Sequence, residues 1–327
     1  MKDVARLAAV SSITVSRALR SPEKVSVETR QRIDAAIKQT GYVPNLIAGS
    51  LKSSRTNIVV AVIPSVSHTA LPAMVQGISD TAAENNFHLV LATSGASLER
   101  EEKEIRSILG QRPCGIILHN TVHTRAARQM LKTAGVPVIE TGDLVRKPID
   151  LVVSFSNLEA SKAMTLHLAR SGYRNIAFAG VPSAVNVRAL QRREGYLAGL
   201  AELGLRPRIE RMMDVEYGMK DGGEALAQLV ERCPEIDAVM FSTEDHAIGA
   251  VLECNRRGWA VPKKVAIAGF DDNEIASQVT PRLTTVRIPR YEIGRAAAGA
   301  LFVRLAGKAK QPKFVDVGFE IVSRETT

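Results

Sequence analysis

The chain is poor in two residue types that mark other classes of protein. Aromatic residues make up only 4% of its 327 residues, and there are only three cysteines. The low aromatic content favours a core built from aliphatic side chains. Cys114, Cys233 and Cys254 are odd in number and lack CxxC spacing, so we expect reduced thiols and no disulfide framework.

Long apolar runs are absent as well. No uninterrupted apolar stretch is long enough to cross a bilayer. Asp3 and Arg6 interrupt the N-terminal segment, where a signal peptide requires an apolar region. Together with the reduced cysteines, these absences predict a cytoplasmic protein that has no membrane partner.

The sequence also lacks the motifs of common catalytic and cofactor sites. It contains no Gly-rich phosphate loop, nucleophile elbow or HExxH element. His119 and His123 are four residues apart, but they follow a predicted strand and have no third metal ligand near them in sequence. We therefore expect no enzymatic activity, no cofactor and no metal ion.

The first forty residues have the apolar spacing of three helices. The predicted helices cover residues 2–8, 12–19 and 27–40, and either Ser11 or Ser12 serves as the N-cap of the second. The side chains that we expect to face inward are Val4, Leu7, Ala8, Val15, Ala18, Leu19, Ile33, Ala36 and Ile37. Two short helices, a tight turn and a polar outer face on the second helix are typical of a helix-turn-helix that reads the DNA major groove.

The charge distribution agrees with this interpretation. Residues 1–55 contain ten basic and four acidic residues, so they carry +6 of the net charge of +9. A cationic excess concentrated in one small domain is typical of proteins that bind a polyanion such as DNA.

From residue 58 onward, short β-branched runs alternate with helix-length segments. Two such series occur, with predicted strands at residues 58–63, 87–92, 115–119 and 136–140, and then at 175–179, 209–215, 238–242 and 265–270. Helices are expected between them, including one that begins near residues 218–223. Alternation of this kind predicts an α/β fold of two doubly wound parallel sheets that face each other across a cleft.

Several segments resemble the lactose/galactose repressor family. They are DVARLAAVSSITVSRAL at residues 3–19, VSVETRQRI at 25–33, GYVPN at 41–45 and an Ala-x-x-Leu segment at 48–51. SPEKVSVETR, IPSVS and the terminal VDVGF are most similar to the gluconate-responsive members of that family. The resemblance implies a repressor that binds a pseudopalindromic operator as a homodimer and responds to a small carbohydrate effector.

The same resemblance implies the domain organisation. An N-terminal all-α helix-turn-helix domain (1–44) and a hinge (45–57) precede a periplasmic-binding-protein-like domain (58–327). In this domain, subdomain one covers about 58–154 and 288–312, and subdomain two about 157–280 and 316–327. The chain is expected to cross between them near residues 154–157, 281–287 and 313–318.

The resemblance also implies that residues of the helix-turn-helix domain and of the hinge contact DNA. Arg17 projects outward from the second helix, where a guanidinium binds guanine or phosphate. Leu51 matches the hinge leucine that enters the minor groove, although it is alternatively an ordinary linker or core residue. The full predicted set is Ser12, Ile13, Thr14, Ser16, Arg17, Asn45, Ala48 and Leu51.

The effector is expected at the carboxyl ends of the strands, between the subdomains. The predicted effector-binding residues are Ser65, His68, Arg188, Arg192, Thr243, Glu244, Asp271 and Arg290. In residues 64–71 the aromatic side chains usual in the family are missing, which argues against a purine. Ser156 stands where an acidic residue is frequent, so one group that would repel an anion is absent.

Three arginines in one cleft favour a sugar acid such as gluconate, because a guanidinium binds a carboxylate bidentately. Any one of them is alternatively exposed or paired with Glu194 or Glu244. A regulator of a neutral sugar, a transport-type binding protein and an α/β enzyme are the other functions that we considered. The helix-turn-helix argues against transport, and the lack of a catalytic set argues against an enzyme.

Overall fold

The structure, a computed structural model, describes residues 1–43, 56–67, 69–182, 186–307 and 312–327. The chain divides into two compact units, Met1–Thr56 and Asn57–Thr327. Four predicted site residues lie outside the described residues, namely Asn45, Ala48, Leu51 and His68. The described parts of the chain contain no helix with the length and apolar character needed to span a membrane.

The first unit contains three helices, α1 (Lys2–Leu7), α2 (Ser12–Arg20) and α3 (Val27–Thr40). Ser11 is the N-cap of α2, because its Oγ accepts a hydrogen bond of 3.1 Å from the backbone N–H of Thr14. Ser26 caps α3 in the same way. The three predicted helices are therefore confirmed, and Ser11 is the cap.

The core of this unit differs from the prediction at two leucines. Val4, Ala8, Val15, Ala18, Ile33 and Ala36 are buried as predicted, and Ile37 packs against them while partly exposed. Leu7 is 47% exposed, and Ala5 is buried instead. At 3.6 residues per turn, Leu7 lies about 200° around α1 from Ala5, on the opposite side of the helix. Leu19, in the last turn of α2, is 36% exposed at the edge of the core.

The second unit contains two six-stranded sheets within its described residues. The strands are β1 Ile58–Ile63, β2 His88–Thr93, β3 Gly115–Leu118, β4 Val138–Glu140, β5 Leu151–Ser154, β6 Ile176–Gly180, β7 Met212–Asp214, β8 Ala238–Phe241, β9 Ala266–Asp271, β10 Thr284–Arg287, β11 Phe314–Asp316 and β12 Glu320–Val322. The first sheet has the order β11-β5-β4-β3-β1-β2, and the second has the order β12-β10-β9-β8-β6-β7. Their pairing is parallel except between β10 and β12.

Helices cover both sheets, as alternating β and α segments predict. Those packed with the first sheet are α4 (Pro72–Glu84), α5 (Leu98–Gly110), α6 (Arg125–Thr133) and α11 (Arg290–Leu305). Those packed with the second are α7 (Asn157–Arg170), α8 (Val187–Glu202), α9 (Met219–Arg232) and α10 (Glu244–Arg257). We refer to each sheet with its helices as the first and the second subdomain.

The chain passes between the subdomains at points that differ partly from the prediction. The first passage follows β5, as expected. The second follows β10 at residues 288–289 and not at 281–287, because β10 pairs with β9 in the second sheet. The third lies at residues 317–319, because β11 pairs with β5 in the first sheet up to Asp316. The strand predicted at 209–215 is also shorter, since Ile209–Arg211 forms a 3-10 turn before β7.

Helices α4 and α11 approach each other closely through two glycines. A Cβ on Gly77 of α4 would collide with the backbone oxygen of Tyr291, and one on Gly294 of α11 would collide with that of Met74. These clashes involve backbone atoms, so they are relieved only if the helices move apart. The close packing of α11 against α4 in the first subdomain therefore depends on glycine at both positions.

We expect Gly294→Ala to lower the free energy of unfolding by about 1–3 kcal/mol, because the added methyl overpacks the helix contact. Gly299→Ala on the same helix is the matched control, since a Cβ there meets no atom within 4 Å. This control should stabilise the protein by up to about 1 kcal/mol. Urea unfolding of both variants checks this, and equal effects would contradict the close-packing argument.

Candidate functional site

The outer face of α2 presents the predicted DNA-contacting residues. Ile13 is 71% exposed, and Arg17, one turn later, is exposed as well. The guanidinium group of Arg17 has neither a hydrogen-bond partner nor an ion pair among the described residues. Ser12, Thr14 and Ser16 are half-buried, and the hydroxyl of Thr14 lies 2.9 Å from Ser11 Oγ. The guanidinium of Arg17 and the apolar tip of Ile13 are therefore the groups most available to a partner.

The second unit has a cavity between its two subdomains, at the carboxyl ends of the parallel strands. It encloses about 490 Å³ of empty space, including space open to solvent. Its wall is formed by Pro64, Ala70, Leu71, His119, Val181, Asn186, Arg188, Ala189, Arg192, Tyr217, Ser242, Thr243, Asp271 and Arg290. All three arginines predicted for the effector cleft line it, together with Thr243 and Asp271.

Arg192 is fixed firmly in this wall. Its Nε donates to Asn157 Oδ1 at 2.8 Å, its Nη1 donates to the backbone oxygen of Ser242 at 2.5 Å, and its guanidinium lies 3.6 Å from the ring centroid of Phe270. Stacking on an aromatic face stabilises a cation whose hydration has been removed. The side chain is therefore held in place before any ligand arrives.

Arg290 and Arg188 are held by fewer contacts. Arg290 pairs with Asp271, while its Nε and Nη1 are buried and have no partner among the described residues. Arg188 donates from Nη1 to the backbone oxygen of His119 at 3.3 Å, which links the two subdomains. Neither arginine pairs with Glu194 or Glu244. The cavity thus holds guanidinium hydrogen-bond donors that the described protein groups leave unused.

The electrostatic balance of the cavity is cationic. Burial lowers the pKa of Arg188 and of Arg192 to about 10 each, and repulsion by Arg290 adds to this lowering. Both remain charged near neutral pH. The described residues of the wall therefore carry three guanidinium groups and one carboxylate, that of Asp271. An anion bound here would reduce the repulsion among the three cations.

Two predicted effector residues do not reach the cavity wall. Ser65 lies in an exposed turn, with its Oγ 2.7 Å from that of Ser67. Glu244 is buried behind the wall, where its Oε2 accepts a hydrogen bond of 3.1 Å from the backbone N–H of Asn273. Burial, followed by the charge of Asp271, raises the pKa of Glu244 to about 8. This carboxyl is consequently mostly protonated at pH 7 and does not repel an anion.

The sequence interpretation missed His119, Asn186, Tyr217 and Ser242, which all line the cavity. His119 and Ser242 directly follow β3 and β8, and Tyr217 follows β7 by three residues. The rule that ligands bind beyond the carboxyl ends of parallel strands would have selected these positions. Tyr217 also gives the cavity one aromatic side chain, although residues 64–71 contain none.

Further hydrogen bonds cross between the subdomains next to the cavity. Thr69 Oγ1, beyond β1, lies 3.2 Å from Asp245 Oδ1 on α10 and accepts from Asn273 Nδ2 at 3.2 Å. Both partners belong to the second subdomain. The two walls of the cavity are therefore in direct contact in this structure.

His123, considered above as half of a metal pair, belongs to a buried charge cluster in the first subdomain. Its Nδ1 lies 2.5 Å from Glu101 Oε1 and its Nε2 lies 3.4 Å from Glu140 Oε1. Burial by itself would lower the pKa of His123, but the hydrogen bond to Glu101 and the charges of Glu101 and Glu140 outweigh it and raise the pKa to about 9. The cluster joins α5, β4 and the loop after β3. In the described residues, no group of His, Cys, Asp and Glu side chains is arranged to hold a metal ion.

A helix-turn-helix unit and a two-sheet unit with a cavity between its subdomains together define a DNA-binding transcriptional regulator that carries a periplasmic-binding-like domain. Residues 1–45 match the model of the bacterial regulatory proteins of the lacI family, and residues 165–327 match that of the periplasmic binding protein-like domain. The chain belongs to the lacI family of bacterial regulatory proteins.

Individual relatives match over nearly the whole length. The chain is 33% identical to the HTH-type transcriptional regulator GntR of Escherichia coli K12, over 98% of this chain and 96% of that protein. It is 34% identical to GntR of Pseudomonas aeruginosa, over 100% and 95%. A crystal structure of a LacI-family transcriptional regulator from Silicibacter pomeroyi superposes with a TM-score of 0.92 at 33% identity, covering 99% of this chain and 98% of that one.

The His123 cluster predicts a pH-dependent contribution to stability. The folded pKa, about 9, lies above the unfolded value near 6.5, so the stabilisation is fully present below pH 6.5 and is lost as the pH rises through 9. We expect His123→Asn to lower the free energy of unfolding. This loss should be about 1–3 kcal/mol larger at pH 6 than at pH 9.5. Urea unfolding at both pH values measures this, with the exposed His88→Asn as control. A deficit independent of pH would contradict the charge cluster.

Proposed function

We propose that this regulator is a homodimeric repressor whose affinity for a pseudopalindromic operator is controlled by a sugar acid of the gluconate type. One observation carries the choice of ligand: three guanidinium groups share a cavity with one carboxylate, and Arg290 has two buried donor atoms without a partner among the described residues. A carboxylate accepts hydrogen bonds from a guanidinium bidentately, which a neutral hydroxyl cannot do.

The remaining cavity groups suit the hydroxyls of such a ligand. Asp271, Thr243, Ser242 and Asn186 offer carboxylate, hydroxyl and amide groups on the same wall. The resemblance to gluconate-responsive members of the family supports the same class of effector. A neutral sugar is the competing ligand, and it would use these groups without needing the arginines.

The proposed mechanism is a shift between two arrangements of the subdomains. A ligand that contacts both walls favours the arrangement in which it is held more tightly, and only this difference in affinity is available to change DNA binding. We propose that the arrangement favoured by the effector binds the operator less well. A tenfold loss of operator affinity requires about 1.4 kcal/mol of coupling.

On DNA, we propose that Ile13 and Arg17 read base edges while Ser12, Thr14, Ser16 and Asn45 contribute further base or phosphate contacts. Leu51, with Ala48 one turn before it, is proposed as the apolar wedge at the operator centre. Two copies of these residues in a homodimer match the two half-sites of a pseudopalindrome.

Arg17→Ala should weaken operator binding by about 1–3 kcal/mol, because a guanidinium contact to a base or phosphate is removed. The matched control is Arg32→Ala on α3, which removes the same charge from an exposed position of the same unit. Fluorescence anisotropy with operator and scrambled DNA separates the two effects. If both variants lose affinity equally for both DNAs, Arg17 contributes charge and does not read the sequence.

Gluconate should bind the full chain more tightly than glucose or sorbitol in titration calorimetry, and it should release the protein from operator DNA. Arg290→Lys keeps the charge beside Asp271 but loses the bidentate geometry, so we expect about a tenfold loss in gluconate affinity, equivalent to about 1.4 kcal/mol. Arg193→Lys on α8 is the control, since Arg193 pairs with Asp214 outside the cavity wall. Tight binding of a neutral sugar with no binding of any acid would overturn the choice of effector and leave the regulator assignment intact.

A further inference from the structure

A second, larger cavity adjoins the one described above. It encloses about 1220 Å³ of empty space, including space open to solvent. Both subdomains line it, through Pro64, Ser94, Ala96, Ser97, Leu98, Glu99, Asn120, Val122, Asn186, Val187, Arg188 and Leu190. Pro64, Asn186 and Arg188 line both cavities. We call the arginine-rich cavity the inner chamber and this one the outer chamber.

The two chambers differ in charge. Among the described residues of the two walls, the charged groups of the inner chamber are three guanidinium groups and one carboxylate, whereas those of the outer chamber are Arg188 and Glu99. A hydrogen bond of 2.8 Å from Ser97 Oγ lowers the pKa of Glu99, so this carboxylate is ionised near neutral pH. An anionic group is therefore favoured in the inner chamber, and the outer chamber provides no cationic excess for a second one.

The surface chemistry of the outer chamber is that of a carbohydrate site. Ser94, Ser97, Asn120 and Asn186 supply hydroxyl and amide groups, while Val122 and Leu190 are each 38% exposed. A sugar ring has hydroxyls around its edge and apolar C–H groups on its faces, and a mixed wall of this kind accommodates both. A phosphate would instead gain from several cations and lose by proximity to Glu99.

We infer that the effector extends through both chambers and is a glycosylated sugar acid, with its carboxylate in the inner chamber and a neutral glycosyl unit in the outer one. This inference rests on the proposed sugar-acid function and names the class of acid more closely. Arg188, which lines both chambers, is the residue that contacts the ligand at their junction.

The test compares ligands that differ only in what would occupy the outer chamber. Titration calorimetry of the full chain with gluconate, three 4-O-glycosyl gluconates (lactobionate, maltobionate and cellobionate) and 6-phosphogluconate measures the contribution of each extension. At least one glycosyl gluconate should bind ten or more times as tightly as gluconate, a gain of about 1.4 kcal/mol or more. 6-Phosphogluconate should show no such gain.

A variant whose larger side chain fills the outer chamber tests whether the glycosyl unit binds there. Leu190→Trp should lower the affinity for the glycosyl gluconate about tenfold and leave gluconate within about twofold. Leu252→Trp is the matched control, because Leu252 is also a helical leucine that is 38% exposed but does not line either chamber. It should change neither affinity.

The outcomes separate the inference from the function on which it rests. If gluconate binds but every glycosyl gluconate binds more weakly, or if Leu190→Trp affects both ligands equally, the outer chamber is not a glycosyl site and the sugar-acid function stands. Tighter binding of 6-phosphogluconate than of any glycosyl gluconate would replace the glycosyl unit with a phosphate. If none of the acids binds, the proposed function itself is wrong.

Discussion

Buried positive charge in the cavity between the subdomains is the constraint on which the site depends. Removing a guanidinium from water costs several kcal/mol unless other groups compensate it. Arg192 is compensated by an amide oxygen, a backbone oxygen and the ring of Phe270, and Arg290 by Asp271. The compensation is incomplete, because two donor atoms of Arg290 have no partner in the described protein. An anion in this cavity would supply the missing acceptors.

The contacts that compensate these charges also link the site to the arrangement of the subdomains. Arg290 begins α11 of the first subdomain, but its carboxylate partner Asp271 ends β9 of the second. Arg188 makes the reverse connection, from α8 of the second subdomain to the backbone of His119 in the first. The ion pair and the hydrogen bond both change if the subdomains move relative to each other. The same side chains that line the cavity would therefore also respond to closure of the cleft.

Sheet architecture explains why these residues meet. Parallel strands align their carboxyl ends, so the residues that follow β1, β3, β6, β8 and β9 gather at one edge of each sheet. Much of this could be predicted: the alternating pattern indicated both sheets, and the resemblance to the lactose/galactose repressor family pointed to Arg192, Asp271 and Arg290. Arg188 was predicted from its position one helical turn before Arg192. Strands β5, β10, β11 and β12 were missed, because segments of three or four residues have little measurable periodicity. The pairing of β10 and of β11 places two crossings between the subdomains at positions other than those expected.

The sequence by itself determined the elements, because helix caps, apolar spacing and β-branched runs act over a few neighbouring residues. Val15 and the run at residues 58–63 needed no distant partner to be interpreted, whereas the structure decided between Ser11 and Ser12 as the cap of α2. Only the tertiary structure decided that Glu244 lies behind the cavity wall, that Leu7 is exposed, and that His123 is surrounded by Glu101 and Glu140. Burial and pKa depend on atoms far away along the chain, and the distances between them are fixed only when the sheets and helices pack together.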